Sequence, residues 1–234
     1  MNLLLLSNST NHDAGYLGHC ASQIDEFLGD VRDVLLIPYA AVSRSYEEYE
    51  EMAQNALSVF GIQVHSIHHE ANPVEAIEKA SAIAVAGGNT FRLLDLLYAQ
   101  NLIEPIRRNV KKGMPYVGWS AGSNVAGATI CTTNDMPIVQ PPSFNAIGLV
   151  DFQINPHYTD RVINEHNGES RSQRLTEFTE LNRDTLVMAL PEGSWLKQKA
   201  GYWTYEGEDK LVVFSYGKPI NYMNTDQAER YLNQ

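Results

Sequence analysis

Tyr116-Val117-Gly118-Trp119-Ser120-Ala121-Gly122-Ser123-Asn124 is the stretch whose reading decides the fold. Residues 114–118 read as a strand, Ser120 as a tight turn, and residues 121–128 as a helix leaving that turn. Glycines two residues either side of a serine form the Gly-x-Ser-x-Gly pattern of a nucleophile elbow. The need is steric: the departing helix must lie close against the incoming strand, and a side chain at either glycine would hold them apart. Such a turn aims the Ser120 hydroxyl outward and leaves the N–H of Ala121 at a helix N-terminus, where negative charge is favoured.

Working outward, short apolar runs alternate with helical stretches. Strands are predicted over 2–6, 33–37, 64–67 and 82–86, and helices over 15–28, 45–60, 73–79, 91–100 and 102–112. Glu47, Glu48, Glu50 and Glu51 fall in the first turns of the 45–60 helix, where they oppose the positive end of its dipole. This order predicts an α/β fold: a doubly wound, mostly parallel sheet with helices on both faces. Beyond the elbow the pattern loosens. A polar, proline-bearing loop spans 132–142, followed by a strand at 152–155, a helix at 168–181 and a strand at 185–190. Residues 195–216 read as C-terminal antiparallel hairpins turning near Gly207, and 226–232 as a closing helix. No linker or repeat divides the chain, so residues 1–234 read as a single catalytic domain.

The formal net charge of −11 argues against nucleic-acid or anionic-membrane partners, which need a basic surface. It also requires that any anionic ligand meet a local cationic pocket. Cys20 and Cys131 are far apart with no metal or redox spacing, so the chain reads as a cytoplasmic protein whose two thiols are buried fillers. The apolar run at Leu3-Leu4-Leu5-Leu6 has no positive leader and suits a buried strand better than a targeting segment. His65, His68 and His69 have a spacing that raises a metal site, but on a strand-like segment with no carboxylate placed to complete it, a solvated loop is the better reading. No cofactor motif is visible.

A serine hydroxyl needs a base, and the base needs a group to hold it. His157 lies just past a buried strand after a proline, whereas His12, His19 and His166 lie in polar stretches. Two acids compete to orient it: Glu192, at a strand's carboxyl end, and Asp135, on the long loop. Gly87-Gly88-Asn89-Thr90 follows another strand. Without Walker spacing or a lysine, this loop suits an oxyanion hole better than a phosphate cradle.

Together with Thr132-Thr133-Asn134-Asp135-Met136-Pro137, Ile154-Asn155-Pro156-His157 and Leu190-Pro191-Glu192-Gly193, these motifs resemble the dipeptidase E family. These are aspartyl dipeptidases, serine peptidases with a class I glutamine-amidotransferase-like fold. The resemblance runs from the first strand to about Trp195, with Ala86 standing where the family often has a third glycine. It implies Ser120 as nucleophile, His157 as base and then acid, and Asp135 or Glu192 as the relay partner. It further implies oxyanion N–H groups from Gly88 and Ala121, with Asn89 nearby. The implied substrate is a small peptide, an Asp-Xaa dipeptide, whose β-carboxylate would need a cation; Arg171 and Arg174 are the candidates, and the family pattern places an arginine at Arg171. Two other readings remain open: a cyanophycinase-like peptidase of β-linked aspartyl units, and a non-catalytic acidic-peptide binder. A monomer or a small homo-oligomer is equally compatible with these residues.

Overall fold

Four consecutive leucines make the central strand β1 (Leu3–Leu6), and all four are fully buried. Because side chains alternate across a strand, Leu3 and Leu5 join one core while Leu4 and Leu6 join the other. The same division runs through β2 (Asp33–Ile37), β4 (Ile83–Val85) and β5 (Tyr116–Trp119). A sheet with apolar residues on both faces must be covered on both, which is the doubly wound arrangement predicted above. The computed structural model describes residues 1–11, 14–161 and 168–234. His12 and His166 lie outside the described residues.

The first sheet has seven strands, with β3 (Gln63–Ser66) at one edge, then β2, β4, β5, β1, β8 (Trp195–Lys199) and β9 (Tyr202–Glu206). The first five strands in the chain pair in parallel, while β8 and β9 add in antiparallel fashion beyond β1. A second sheet holds β6 (Gln153–Tyr158), β7 (Val187–Pro191), β10 (Leu211–Phe214) and β11 (Asn221–Met223), with β6 and β7 parallel. The C-terminal hairpins are thus divided between sheets. The β8–β9 hairpin turns at Ala200 and Gly201, both with positive φ, and Gly207 instead lies where the chain passes from one sheet to the other.

Helix boundaries follow their caps. Ser45 and Glu48 form a capping box at the start of α2 (Tyr46–Leu57), and the Asn72 side chain caps α3 (Pro73–Lys79). Helix α1 (Ala21–Leu28) begins six residues later than the sequence suggests; Leu17, at φ 56°, keeps the preceding turn out of helical geometry. Helices α4 (Thr90–Ala99) and α5 (Ile103–Lys111) fall as predicted. The elbow helix α6 (Ala121–Asn124) is much shorter than predicted. Beyond Val125 the bonds tighten to three residues, Ala126 N donating to Ser123 O and Gly127 N to Asn124 O, while Gly122 O accepts from the Tyr116 hydroxyl. Helices α7 (Arg171–Leu181) and α8 (Thr225–Leu232) complete the chain. Among the described residues no helix is long and apolar enough to cross a membrane.

The steric argument for the elbow can be checked atom by atom. A Cβ on Gly118 would sit 2.6 Å from the carbonyl oxygen of Gly122, and one on Gly122 would overlap the carbonyl oxygen of Val85 in β4. The Tyr116 hydroxyl, buried beneath the turn, donates to Gly122 O at 2.6 Å. Strand, turn and helix leave no room for a methyl group. Gly122→Ala is therefore expected to lower stability by about 2–3 kcal/mol through overpacking against backbone. Urea denaturation measures it, and an unchanged midpoint would show that the helix can retreat from β4.

Candidate active site

Strands β4, β5 and β1 lie side by side, and their carboxyl ends open onto one edge of the first sheet. That edge is where open α/β sheets present ligand sites. There, Gly87, Gly88, Trp119, Ser120, Asp135, His157 and Arg171 contribute to a cleft of about 450 Å³. Ser120 is held at φ 54° and ψ −113°, a strained conformation for a residue with a side chain.

His157 comes from the other sheet. The sequence reading placed it after the strand, whereas β6 continues through it to Tyr158 with a register shift between Asn155 and Tyr158. His157 takes φ 53° at this irregularity, which turns its ring out of the pleat. Its Nε2 lies 2.8 Å from Ser120 Oγ, and its Nδ1 lies 2.9 Å from Glu192 Oε1. Glu192 directly follows β7, the parallel neighbour of β6. The pair is partly open to water, the Glu192 side chain being 59% exposed.

The polar turn after β1 ties these parts together, a role that its sequence does not reveal. Ser7 Oγ, fully buried, donates to Leu190 O at 2.8 Å and accepts from His157 N at 2.9 Å. Asn8 Oδ1 accepts from Gly193 N at 2.7 Å. One short turn therefore grips the chain at His157 and on both sides of Glu192.

The other candidates divide. Asp135 lines the cleft but makes no hydrogen bond to His157 among the described residues. Its Oδ2 accepts from Thr90 N at 2.7 Å and from the Thr133 hydroxyl at 3.2 Å, capping the start of α4. Asn89 does not offer an oxyanion donor: its N–H goes to Ala40 O, its Oδ1 caps Arg92 N, and its Nδ2 donates to Met136 O. Gly88 and Ala121 keep their N–H groups free of acceptors among the described residues. Gly88 has φ 137°, and a Cβ there would overlap the Ala40 carbonyl, so only glycine fits the bend. The third glycine that the family often has is not needed, since Ala86 directly follows β4 with its N–H donating to Ile37 O at 3.0 Å.

Of the two arginines, Arg171 lines the cleft at the first turn of α7, half-buried. Its Nη1 is buried without a hydrogen-bond partner among the described residues. Burial, and then the charge of Arg174, lower its pKa, so the site favours an incoming anion. Arg174 does not reach the cleft; it is exposed and lies 3.7 Å from Glu169. The thiols also differ from expectation. Cys20 is buried, its pKa pushed up to about 12 by desolvation, but Cys131 is exposed.

A strained serine at the carboxyl edge of a parallel sheet, with a histidine and a carboxylate in line behind it, defines a serine-type hydrolase. The chain belongs to peptidase family S51, whose model matches residues 3–203. It is 51% identical over 214 residues to a Haemophilus influenzae (strain Rd) protein named Peptidase E, covering 91% of this chain and 98% of that one. A Nostoc protein of the same name is 46% identical over 217 residues, 92% of this chain and 90% of the relative. The fold is also similar to the crystal structure of a peptidase from an acI-B1 actinobacterium: TM-score 0.72, 19% identity, 96% of this chain and 94% of that one covered. The protein is accordingly a serine-type dipeptidase of this family.

Ser7→Ala is expected to lower kcat by about 10–100-fold, because small displacements of a base carry penalties of that size. KM should change little, since Ser7 lies behind the catalytic pair. Steady-state kinetics of the folded variant checks this, and wild-type kcat would show that β6 holds His157 without help.

Proposed function

We propose that this dipeptidase removes an N-terminal aspartate from Asp-Xaa dipeptides through an acyl-enzyme on Ser120. The observation that carries the reading is the hydrogen-bonded line Ser120–His157–Glu192, at 2.8 and 2.9 Å. His157 Nε2 takes the Ser120 proton as Oγ attacks the scissile carbonyl. Glu192 accepts the Nδ1–H bond, which fixes the tautomer and steadies the imidazolium. The oxyanion develops beside the free N–H groups of Gly88 and Ala121, the latter at the start of α6. His157 then protonates the leaving amine, and the aspartyl ester on Ser120 is hydrolysed by water activated in the same way.

Substrate choice follows from two charges. Arg171 offers the only cleft-lining guanidinium among the described residues, which suits the β-carboxylate of aspartate. An amino-terminal dipeptidase must also read the substrate's ammonium group. Asp135 supports that part: Oδ2 is engaged, while Oδ1 has no protein partner among the described residues. Asp135 therefore belongs to binding and Glu192 to proton transfer.

Both sheets supply the cleft, which supports treating residues 1–234 as one catalytic unit. The unpaired, exposed thiol of Cys131 suits a reducing compartment, and we place the enzyme in the cytoplasm on that ground.

Ser120→Ala is expected to abolish Asp-Leu hydrolysis while leaving the denaturation midpoint unchanged; retained turnover overturns the mechanism. Glu192→Gln should cut kcat by about 10²–10⁴-fold with KM little changed. Asp135→Asn should mainly raise KM, and the reverse pattern between these two variants would exchange their roles. Arg171→Ala should erase the preference for Asp-Leu over Ala-Leu. A preference that survives would remove Arg171 from substrate recognition.

A further inference from the structure

A second cluster of titratable side chains lies at the outer edge of the first sheet. Ile67, His68 and His69 form a single 3₁₀ turn after edge strand β3, and α2 packs along this segment. The sequence offered histidines without a carboxylate; folding supplies two. Glu50 and Glu47, on successive turns of α2, reach the imidazoles, while His65 turns away toward Asp33. We propose that Glu50, His68 and His69 bind a borderline-soft divalent cation such as Zn²⁺.

The geometry supports this from several sides. One ligand atom from each of Glu50, His68 and His69 lies within 4.8 Å of the others. Tetrahedral zinc, with bonds of about 2.0–2.1 Å, sets its ligands about 3.3 Å apart. His68 Nε2 already lies 3.3 Å from Glu47 Oε1, and His69 Nε2 lies 2.8 Å from Glu50 Oε2.

His68 is the most informative member. Its Nδ1 lies 2.6 Å from Ser66 Oγ, the outer hydrogen bond that typically orients a metal-binding imidazole. Its Nε2 is buried without a hydrogen-bond partner among the described residues, although a carboxylate stands beside it. That nitrogen can therefore turn to a cation, and a divalent ion accepts two imidazoles and a carboxylate together. Glu50 is also pre-positioned, its Oε1 accepting from Ser66 N at 2.8 Å. Nitrogen donors select against Mg²⁺ and Ca²⁺, which prefer all-oxygen shells.

The test is titration of chelator-treated full-length protein with ZnCl₂, followed by calorimetry, and with Co²⁺, followed by visible absorption. One ion per chain, the intense bands of tetrahedral cobalt, and a melting temperature that rises with zinc concentration are expected. His69→Gln changes a half-exposed side chain and should weaken binding at least about tenfold. Glu50→Gln keeps an oxygen for Ser66 N and should do the same. The double variant His68→Gln/His69→Gln should bind no ion. The proposal is overturned if the wild type binds none. It is equally overturned if the double variant binds as the wild type does, which would place the ion on other donors.

Discussion

Ser120 and His157 come from different sheets, and the separation between those sheets sets the distance between their side chains. Ser120 directly follows β5 of the seven-stranded sheet, whereas His157 lies in β6 and Glu192 directly follows β7 of the four-stranded sheet. A shift of one sheet against the other by about 1 Å would break the 2.8 Å contact between Ser120 and His157. Packing alone sets such a distance loosely. The buried Ser7 hydroxyl sets it directionally, since it bonds the chain beside each of the two second-sheet residues. Further support crosses the gap at Asn124, whose Nδ2 donates to Ile154 O at 2.6 Å, and at Asn134, whose Nδ2 donates to Pro156 O at 2.7 Å.

The elbow at Ser120 and the covered sheet were legible in the sequence for one reason: both rest on local pattern. The leucine run, the elbow glycines and the caps at Ser45 and Asn72 act within a few residues of themselves. What pattern could not convey was distance between remote segments. Glu192 and Asp135 have equal claims in one dimension, and only folding shows that one faces His157 while the other caps α4. Asn89 was misread for a related reason. Its position beside Gly88 is right, but a side chain that starts a helix is spent on capping it. The division of the C-terminal strands between two sheets was likewise invisible, since β9 and β10 each pair in antiparallel fashion and strand pattern does not say with which sheet.

Charge organises the cleft as firmly as shape does. In a chain of net charge −11, a half-buried guanidinium next to another arginine is a costly placement. Such a cost is sustained where the cation has work to do, and the dipole at the start of α7 adds to its pull on anions. The acidic residues form the other half of this design. Asp135 presents negative charge within the same cleft, so the cleft offers both signs of charge.

The uniformity of β1 has a consequence of its own. Four identical side chains, buried on both faces, would pack equally well if the strand slid by one residue. Apolar burial therefore gives this central strand almost no sense of position along its own axis. Position is restored at the strand's ends, by Asn2 O accepting from Tyr116 N, Leu6 O accepting from Ser120 N, and above all by Ser7. The hydroxyl that holds the histidine thus also serves as the index mark of this interior strand.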